Sequence, residues 1–430
     1  MVAGDHVDVV IEKAVYRGLG LARHHGQVVF VPRAFPGDRH RVRIESSTPG
    51  YVRGVSEERL QAGPGRRESP CPFFPACGGC AYQELGYDEQ VRLKAGVLLE
   101  SLARAGVPWE REIEVRGSPE SGWRTRAEFH LEASGPKLRL GLREEGSHRT
   151  VDLERCLQLS AGMNGAFRGL LAALGERPEL ARAVSDVALA ESGDGKCMVA
   201  SLATTLPPGE ASRLGSLLPA VPWLTGLGAV VRQGSASRFL PLGGETAVDT
   251  HVLGLRLRSH VRSFFQSNRF LVEDLARAVL ELTPPGGPVL DLYAGVGLFT
   301  LPIAARGDAA AAIEVSATAV ADARVNQERA GLEGVRLHEG DVRESLARLR
   351  PVAEERIVLD PPRTGAGPGV VEQITARRPA AVVYVSCDPP TLGRDLRRFE
   401  SHGYRLEAVR AFDLFPDTFH LETLVRLLPR

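Results

Sequence analysis

The sequence lacks any excess of one charge: 53 Lys and Arg stand against 53 Asp and Glu. A neutral total does not advertise a polyanionic partner, yet it excludes none, because a basic face can sit inside a balanced sum. Long apolar runs are missing as well. Nothing approaches the roughly 18 apolar residues that a membrane span needs, so no membrane partner is expected. The opening residues, Met1-Val2-Ala3-Gly4-Asp5-His6, carry acid early with no apolar stretch behind them. No secretory signal is therefore expected, and the cytoplasm is the default location. There is no internal repeat and no low-complexity tail. Cysteine is scarce, six in 430 residues. Disulfide frameworks belong to small secreted chains, and this is neither. Three of the six, Cys71, Cys77 and Cys80, crowd into ten residues, which points to ligation. With the distant Cys156 they offer four thiolates to an iron–sulfur centre or to zinc, and the residues alone leave both open.

The length allows two or three domains. Residues 1–60 read as five or so short strands broken by turns, among them Val7–Ile11 and Gln27–Pro32, with Pro36-Gly37-Asp38 a strong turn signal. That pattern predicts a small OB-like β-barrel. It is only slightly basic, nine Lys and Arg against seven Asp and Glu. Residues 61–258 read as a central α+β domain: the cysteine cluster, a helix over Gln90–Ala105, and strands at Arg124–Glu132, Lys137–Arg143 and Cys197–Ala203. From about residue 259 to 430 strands and helices alternate strictly. The strand candidates are Pro288–Tyr293, Ala310–Val315, Val335–Glu339, Arg356–Leu359, Ala381–Ser386, Tyr404–Phe412 and His420–Leu427. This predicts an α/β domain, a doubly wound and mostly parallel sheet ending in an antiparallel hairpin.

The chemistry concentrates there. The strand in Val289-Leu290-Asp291-Leu292-Tyr293 runs into Gly295-Val296-Gly297 and then a helix. Glycines at that junction let backbone approach a ligand over the strand's carboxyl end. Glu314 ends the next strand, where an acid grips ribose hydroxyls. The missing third glycine and the acid at Asp291 favour S-adenosylmethionine over a dinucleotide; the bland alternative is a tight turn with no ligand. Asp341 ends the third strand, placed either for an adenine edge or as a helix N-cap. Asp360 opens Asp360-Pro361-Pro362-Arg363, a rigid segment at the same rim.

The fifth strand ends Ser386-Cys387-Asp388-Pro389, next to a helix N-terminus, where a thiolate is stabilised and reactive. A buried core cysteine is the commoner fate of a lone Cys, but a strand end beside Asp-Pro is a poor core site. C5 of a pyrimidine is too weak a nucleophile to attack a sulfonium methyl. Addition of Cys387 at C6 makes C5 enolate-like, and a base must later remove the C5 proton so that the thiolate can leave. Glu422 is the expected base, alternating with His420 on one face of an apolar strand where an idle acid would be costly. His420 is expected to orient or pack, and Asp417 to turn the chain.

Together these motifs resemble the RNA uracil-C5 methyltransferase family, and within it the bacterial 23S rRNA 5-methyluridine enzymes, over nearly the whole chain. The resemblance implies a Rossmann-like class I methyltransferase domain and a TRAM-like RNA-binding barrel in residues 1–60. It implies a four-iron four-sulfur cluster on Cys71, Cys77, Cys80 and Cys156. Phe264-Phe265-Gln266-Ser267-Asn268 resembles the family's Phe-Gln-x-Asn segment. By the same token Gln266, Tyr293, Glu314, Asp341 and Asp360 hold S-adenosylmethionine, with Cys387 as nucleophile and Glu422 as base. Some relatives carry Asn where this chain has Leu298, and Gly393 stands where Ala is usual. The implied partner is structured RNA bound by a monomer, 23S rRNA first and the tRNA T-loop as the alternative. The target uridine must leave its stack. Trp123-Arg124-Thr125-Arg126 and Arg143 are candidates to line its channel, or else form a solvated strand face. Amino-methylating enzymes use an aromatic where Arg363 stands, and RNA cytosine-C5 enzymes place another cysteine beside Pro-Pro. A non-catalytic RNA-binding iron–sulfur protein would have no need of both Cys387 and Glu422.

Overall fold

Alternating apolar and polar residues give residues 6–61 six strands rather than five. The computed structural model describes residues 1–134, 137–234 and 236–430. Strand order in the first sheet is His6–Val10, Arg39–Thr48, Tyr51–Gln61, Gln27–Pro32, Leu19–His24, Lys13–Val15. Along Arg39–Thr48 exposed arginines alternate with buried His40, Val42 and Ile44. The inward set, with Val9, Ile11, Val29, Val31 and Val52, forms a small closed core.

The second sheet also has six strands, in the order Ala236–Gly244, Gly226–Gln233, Met198–Thr204, Val184–Glu191, Arg126–Ser134, Lys137–Gly141. The helix Ala161–Gly175 covers it, capped by Ser160, whose hydroxyl accepts from Met163 N. A hairpin, Ala247–Val252 with Leu255–His260, leads into the third sheet.

That sheet has eight strands, in the order Arg336–Glu339, Ala310–Glu314, Val289–Leu292, Arg356–Leu359, Ala381–Ser386, Glu422–Pro429, Tyr404–Phe412, Val115–Arg116. Its inner strands are buried on both faces, as continuous apolar runs such as Ala381–Ser386 require. Strand order reverses between Val289–Leu292 and Arg356–Leu359, so the carboxyl ends on either side of that junction open a crevice. Two elements ahead of residue 258 join this layer. Val115–Arg116 pairs in parallel with Ala411–Phe412. The helix Tyr87–Arg104 buries Leu98 and Leu102 with Leu392, Leu396 and Phe399 of the helix Pro389–Ser401. Among the described residues no helix is long and apolar enough to cross a membrane.

Candidate active site

Strand ends build the site. Asp291 is buried and receives a 2.5 Å hydrogen bond from Thr300 Oγ1. Its burial lifts the carboxyl to about 7. Tyr293 follows in the left-handed region at φ 62°, an uncommon and strained conformation for a tyrosine that its surroundings must hold in place. Its hydroxyl donates to Ala366 O at 2.6 Å. Gly297 has φ 91°, where an L side chain is strained, and a Cβ there would crowd Leu301 Cγ at 3.0 Å. Gly295 N donates to Glu314 Oε2 at 2.9 Å, and Ser316 N to Glu314 Oε1 at 2.8 Å. Glu314 thus ties two strand-end loops together. Asp341 caps the helix Val342–Arg348 by accepting from Glu344 N at 3.0 Å. Tyr293 and Asp341 line one cavity of about 700 Å³ together with Pro362 and Ala366.

A second group converges deeper. Gln266 Nε2 donates to Asp360 Oδ2 at 3.3 Å. Burial lifts Asp360 to about 7. Glu422, the first residue of its strand, is 2% exposed. Burial raises its carboxyl well above the usual range, and the charge of Asp360 adds to this against the pull of Arg363. Cys387 lies between its strand and the helix Pro389–Ser401, whose N-cap Asp388 accepts from Thr391 N at 3.0 Å. The helix end does not deliver the resting thiolate that the sequence suggests. Burial and the facing Glu422 push the thiol up to about 12, and the Arg363 charge and hydrogen bond offset only part of this.

Two residues of this chamber are outside the candidates that sequence provides. Arg363 lies beside Cys387 and Glu422, and its only sequence signal is its place in Asp-Pro-Pro-Arg. Tyr16, from the barrel, donates to Asp388 Oδ2 at 2.7 Å across 372 residues of chain. No local pattern announces it. His420 is not on the strand: the ladder begins at Glu422, and His420 precedes it against Phe415 and Phe419. Burial and the nearby Arg363 hold its imidazole down at about 3, hence neutral. Trp123, Thr125 and Arg126 do not form a solvated face, and Arg124 is half-buried near Cys156, Cys80 and Arg363. Trp123 is buried on Phe415, and Arg126 donates to the carbonyls of Ser259, His260, Val261 and Ser263. Arg143 is exposed and donates to His148 O.

Cys71, Cys77, Cys80 and Cys156 face one small pocket walled by Phe74, Leu142 and Leu153. Gln158 Nε2 donates to Cys80 Sγ at 3.1 Å. Burial pushes the Cys77 thiol up to about 11 and raises Cys80 and Cys156 as well. Four soft donors in a dry pocket suit a cluster chemically. Yet among the described residues no group of three or more His, Cys, Asp or Glu side chains is gathered tightly enough to hold a metal ion. The sulfurs share a pocket without forming a ligating set in this structure. Asp417, at φ 64°, is more than a turn residue. It accepts from Gln83 Nε2 at 2.9 Å and Gln90 Nε2 at 3.0 Å, joining the cysteine segment to the loop that leads to Glu422.

The chain is similar to known proteins in sequence and fold. Residues 248–430 match the family described as tRNA (Uracil-5-)-methyltransferase, and residues 3–55 match the TRAM domain. A Streptomyces avermitilis protein named as an uncharacterized RNA methyltransferase is 34% identical, over 99% of each chain. The 23S rRNA (uracil(1939)-C(5))-methyltransferase RlmD of Salmonella paratyphi A is 31% identical, over 95% of this chain and 93% of its own. The crystal structure of the Pyrococcus abyssi tRNA (uracil-54, C5)-methyltransferase, in complex with S-adenosyl-L-homocysteine, superposes with a TM-score of 0.77. It is 24% identical, and the match covers 98% of this chain and 99% of that one.

Proposed function

Because the chain belongs to the RNA uracil-5-methyltransferase family, we propose that it methylates C5 of a uridine in structured RNA, with 23S rRNA as the substrate class. The observation that carries the reading is the convergence of Cys387, Glu422, Asp360 and Arg363 at the carboxyl edge of the sheet. S-adenosylmethionine supplies an electrophilic methyl on a cationic sulfonium. The buried carboxyls of Asp291, Asp360 and Glu422 resist ionising alone, and such a cation is the complement they lack. Gln266, Tyr293, Glu314, Asp341 and Asp360 are assigned to holding it.

Cys387 Sγ adds at C6 of the flipped uracil: the carbon–sulfur bond forms, the C5–C6 electron pair shifts into the C5–O4 enolate, and the thiol proton passes to solvent. Arg363 stabilises the sulfur anion on the way. After methylation Glu422 takes the C5 proton, the carbon–sulfur bond breaks and the thiolate returns. A carboxyl raised well above its usual range is a stronger base towards that proton. His420, uncharged and enclosed by aromatic rings, packs beside the reacting centre. Cys71, Cys77, Cys80 and Cys156 are the residues to hold a four-iron four-sulfur cluster, whose service would be to staple the segment that Asp417 links to Glu422. Residues 1–60 then serve as an RNA-binding part, 61–258 as a central part and 259–430 as the methyltransferase part of a cytoplasmic monomer.

Incubation with methyl-labelled S-adenosylmethionine and either 23S rRNA or tRNA, followed by mapping of 5-methyluridine, tests the reading. Label at a 23S uridine supports it. Label only in the tRNA T-loop moves the substrate to the alternative, and label in neither overturns it.

A further inference from the structure

A second cavity, about 770 Å³ and roomier than the one beside Tyr293, is separate from the reaction chamber. It lies between the barrel and two helices, Tyr87–Arg104 and Pro389–Ser401, behind the Cys387 loop. Tyr16, Phe30, Tyr51 and Arg53 form the barrel wall, and Arg104, Arg394, Arg397 and Arg398 form the other. Its single carboxylate, Glu100, is already paired with Lys13 and Arg104, each at 2.5 Å. Among the described residues Arg53 and Arg398 have no carboxylate partner. Arg394 pairs with Asp395 at 3.0 Å and Arg397 with Glu400 at 3.2 Å, so Arg53 and Arg398 are the cations of this wall left for a ligand.

Phe30 and Tyr51 meet edge to face at 5.4 Å, and the Arg53 guanidinium stands 6.0 Å from the Tyr51 centroid, the outer limit of a cation–π contact. Loosely covered aromatic faces between free guanidiniums suit the stacking of bases whose phosphates run alongside. An acidic peptide would use the arginines but leave the rings idle. Tyr16 gives the cleft its direction, since it lines the cavity and also donates to Asp388, the neighbour of Cys387. Whatever fills the cleft therefore lies against the loop that carries the nucleophile.

We propose that this cleft holds the unpaired nucleotides adjoining the target uridine, with a base on Tyr51 and phosphates on Arg53 and Arg398. The inference rests on the RNA-methylating reading and extends it to the part of the substrate that is not modified. The full chain is compared with a Tyr51→Leu/Arg53→Ala/Arg398→Ala variant, in which leucine keeps apolar bulk in the barrel. Binding is measured to a ten-nucleotide unpaired oligoribonucleotide and to the rRNA substrate across a salt series. The variant is expected to bind both RNAs about tenfold or more weakly. Its slope of log affinity against log salt is expected to be shallower by about 1.4, because two phosphates go without a cation and each accounts for roughly 0.7 on a single strand. Cofactor affinity and turnover at saturating RNA are expected to stay within about threefold.

Unchanged RNA affinity and salt slope in a variant that still folds, judged by cofactor binding, would overturn the inference and leave the methylation reading standing. Wild-type binding of the oligonucleotide through these residues without methylation of any RNA does the reverse. Should the variant fail to fold, a photoreactive 4-thiouridine placed beside the target in the wild-type complex decides. Crosslinks to Tyr16, Tyr51 or the 394–398 helix support the inference. Crosslinks confined to other surfaces, or displacement by polyglutamate with no crosslink, sink it.

Discussion

Cys387 and Glu422 act at different moments, so their substitutions should separate. Cys387→Ala abolishes attack at C6; turnover and any covalent species should vanish while RNA and cofactor still bind. Glu422→Gln keeps the shape and removes the base, so the reaction should stall after methylation. An RNA–protein adduct carrying the transferred methyl label should then survive denaturing electrophoresis. Loss of one positioned base costs on the order of 10²–10⁴ in rate, enough for the adduct to accumulate. Methylation by Cys387→Ala would end the covalent reading, and normal turnover by Glu422→Gln would hand the proton to another group. Asp291 and Asp360 allow a pH test. Both are held near 7 when folded, against an ordinary carboxyl value of 3.8. Between about pH 4 and 7 the folded protein therefore binds more protons than the unfolded chain, and the cofactor-free fold should lose stability as pH rises through that window. A bound sulfonium favours the charged carboxylates, so cofactor affinity should climb from about pH 6 to 8 and level off beyond. Calorimetry in buffers of different ionisation enthalpy reads the released protons; a pH-independent affinity with no proton release would contradict the assignment.

The helix Tyr87–Arg104 is pinned to the base-bearing loop by Lys94, whose ammonium donates to Asp413 Oδ1 at 2.7 Å with both side chains fully buried. Removing one partner strands the other charge, so Lys94→Met should cost about 3–5 kcal/mol in urea unfolding. Lys94→Met with Asp413→Leu should recover most of that, and a harmless single variant would contradict the buried pair. For the cysteine segment, anaerobically purified protein is expected to be brown with about four irons and four labile sulfides, and Cys71→Ala or Cys156→Ala to lose both together with solubility. Stoichiometric zinc without sulfide would refute the cluster. Elements like these differ in how far sequence reveals them. Arg356–Leu359, Ala381–Ser386 and Tyr404–Phe412 stand where their apolar patterns put them, because apolar runs bounded by turn and helix signals mark sheet strands. Val115–Arg116 spans two residues, too few to carry a period, and sequence gives no sign of it. His420 looks like a strand residue because its alternation with Glu422 continues past the point where the ladder begins. Gln266 has no local signature beyond a family resemblance, and its partner Asp360 lies 94 residues away. The site's residue types are legible in the sequence. The contacts that set their ionisation, Arg363 on Cys387 and Tyr16 on Asp388, belong to the packing.

At the scale of the whole molecule, three sheets each bury a core of their own, and the first is joined to the rest by side chains rather than by a shared ladder. Phe35, in the turn after Gln27–Pro32, packs on Tyr82 and Leu85, and Tyr16 reaches Asp388. Deleting residues 1–60 should weaken RNA affinity and its salt dependence while cofactor affinity, measured by titration, persists. Collapse of cofactor affinity would show the barrel to be integral to the catalytic layer. The other seam is different in kind. Lys94 and Asp413 are 319 residues apart in sequence, and the helix that bears Lys94 buries its apolar side in the core of the third sheet. At roughly 5–20 residues per second a ribosome needs on the order of 15–60 s to make the distance between them. Through that interval the helix's apolar stripe has already emerged and its covering layer does not yet exist. Every newly made copy thus passes through a waiting state with a greasy helix in solvent, the kind of surface that chaperones hold and crowded chains stick to. The speed of synthesis therefore sets how long that surface waits uncovered.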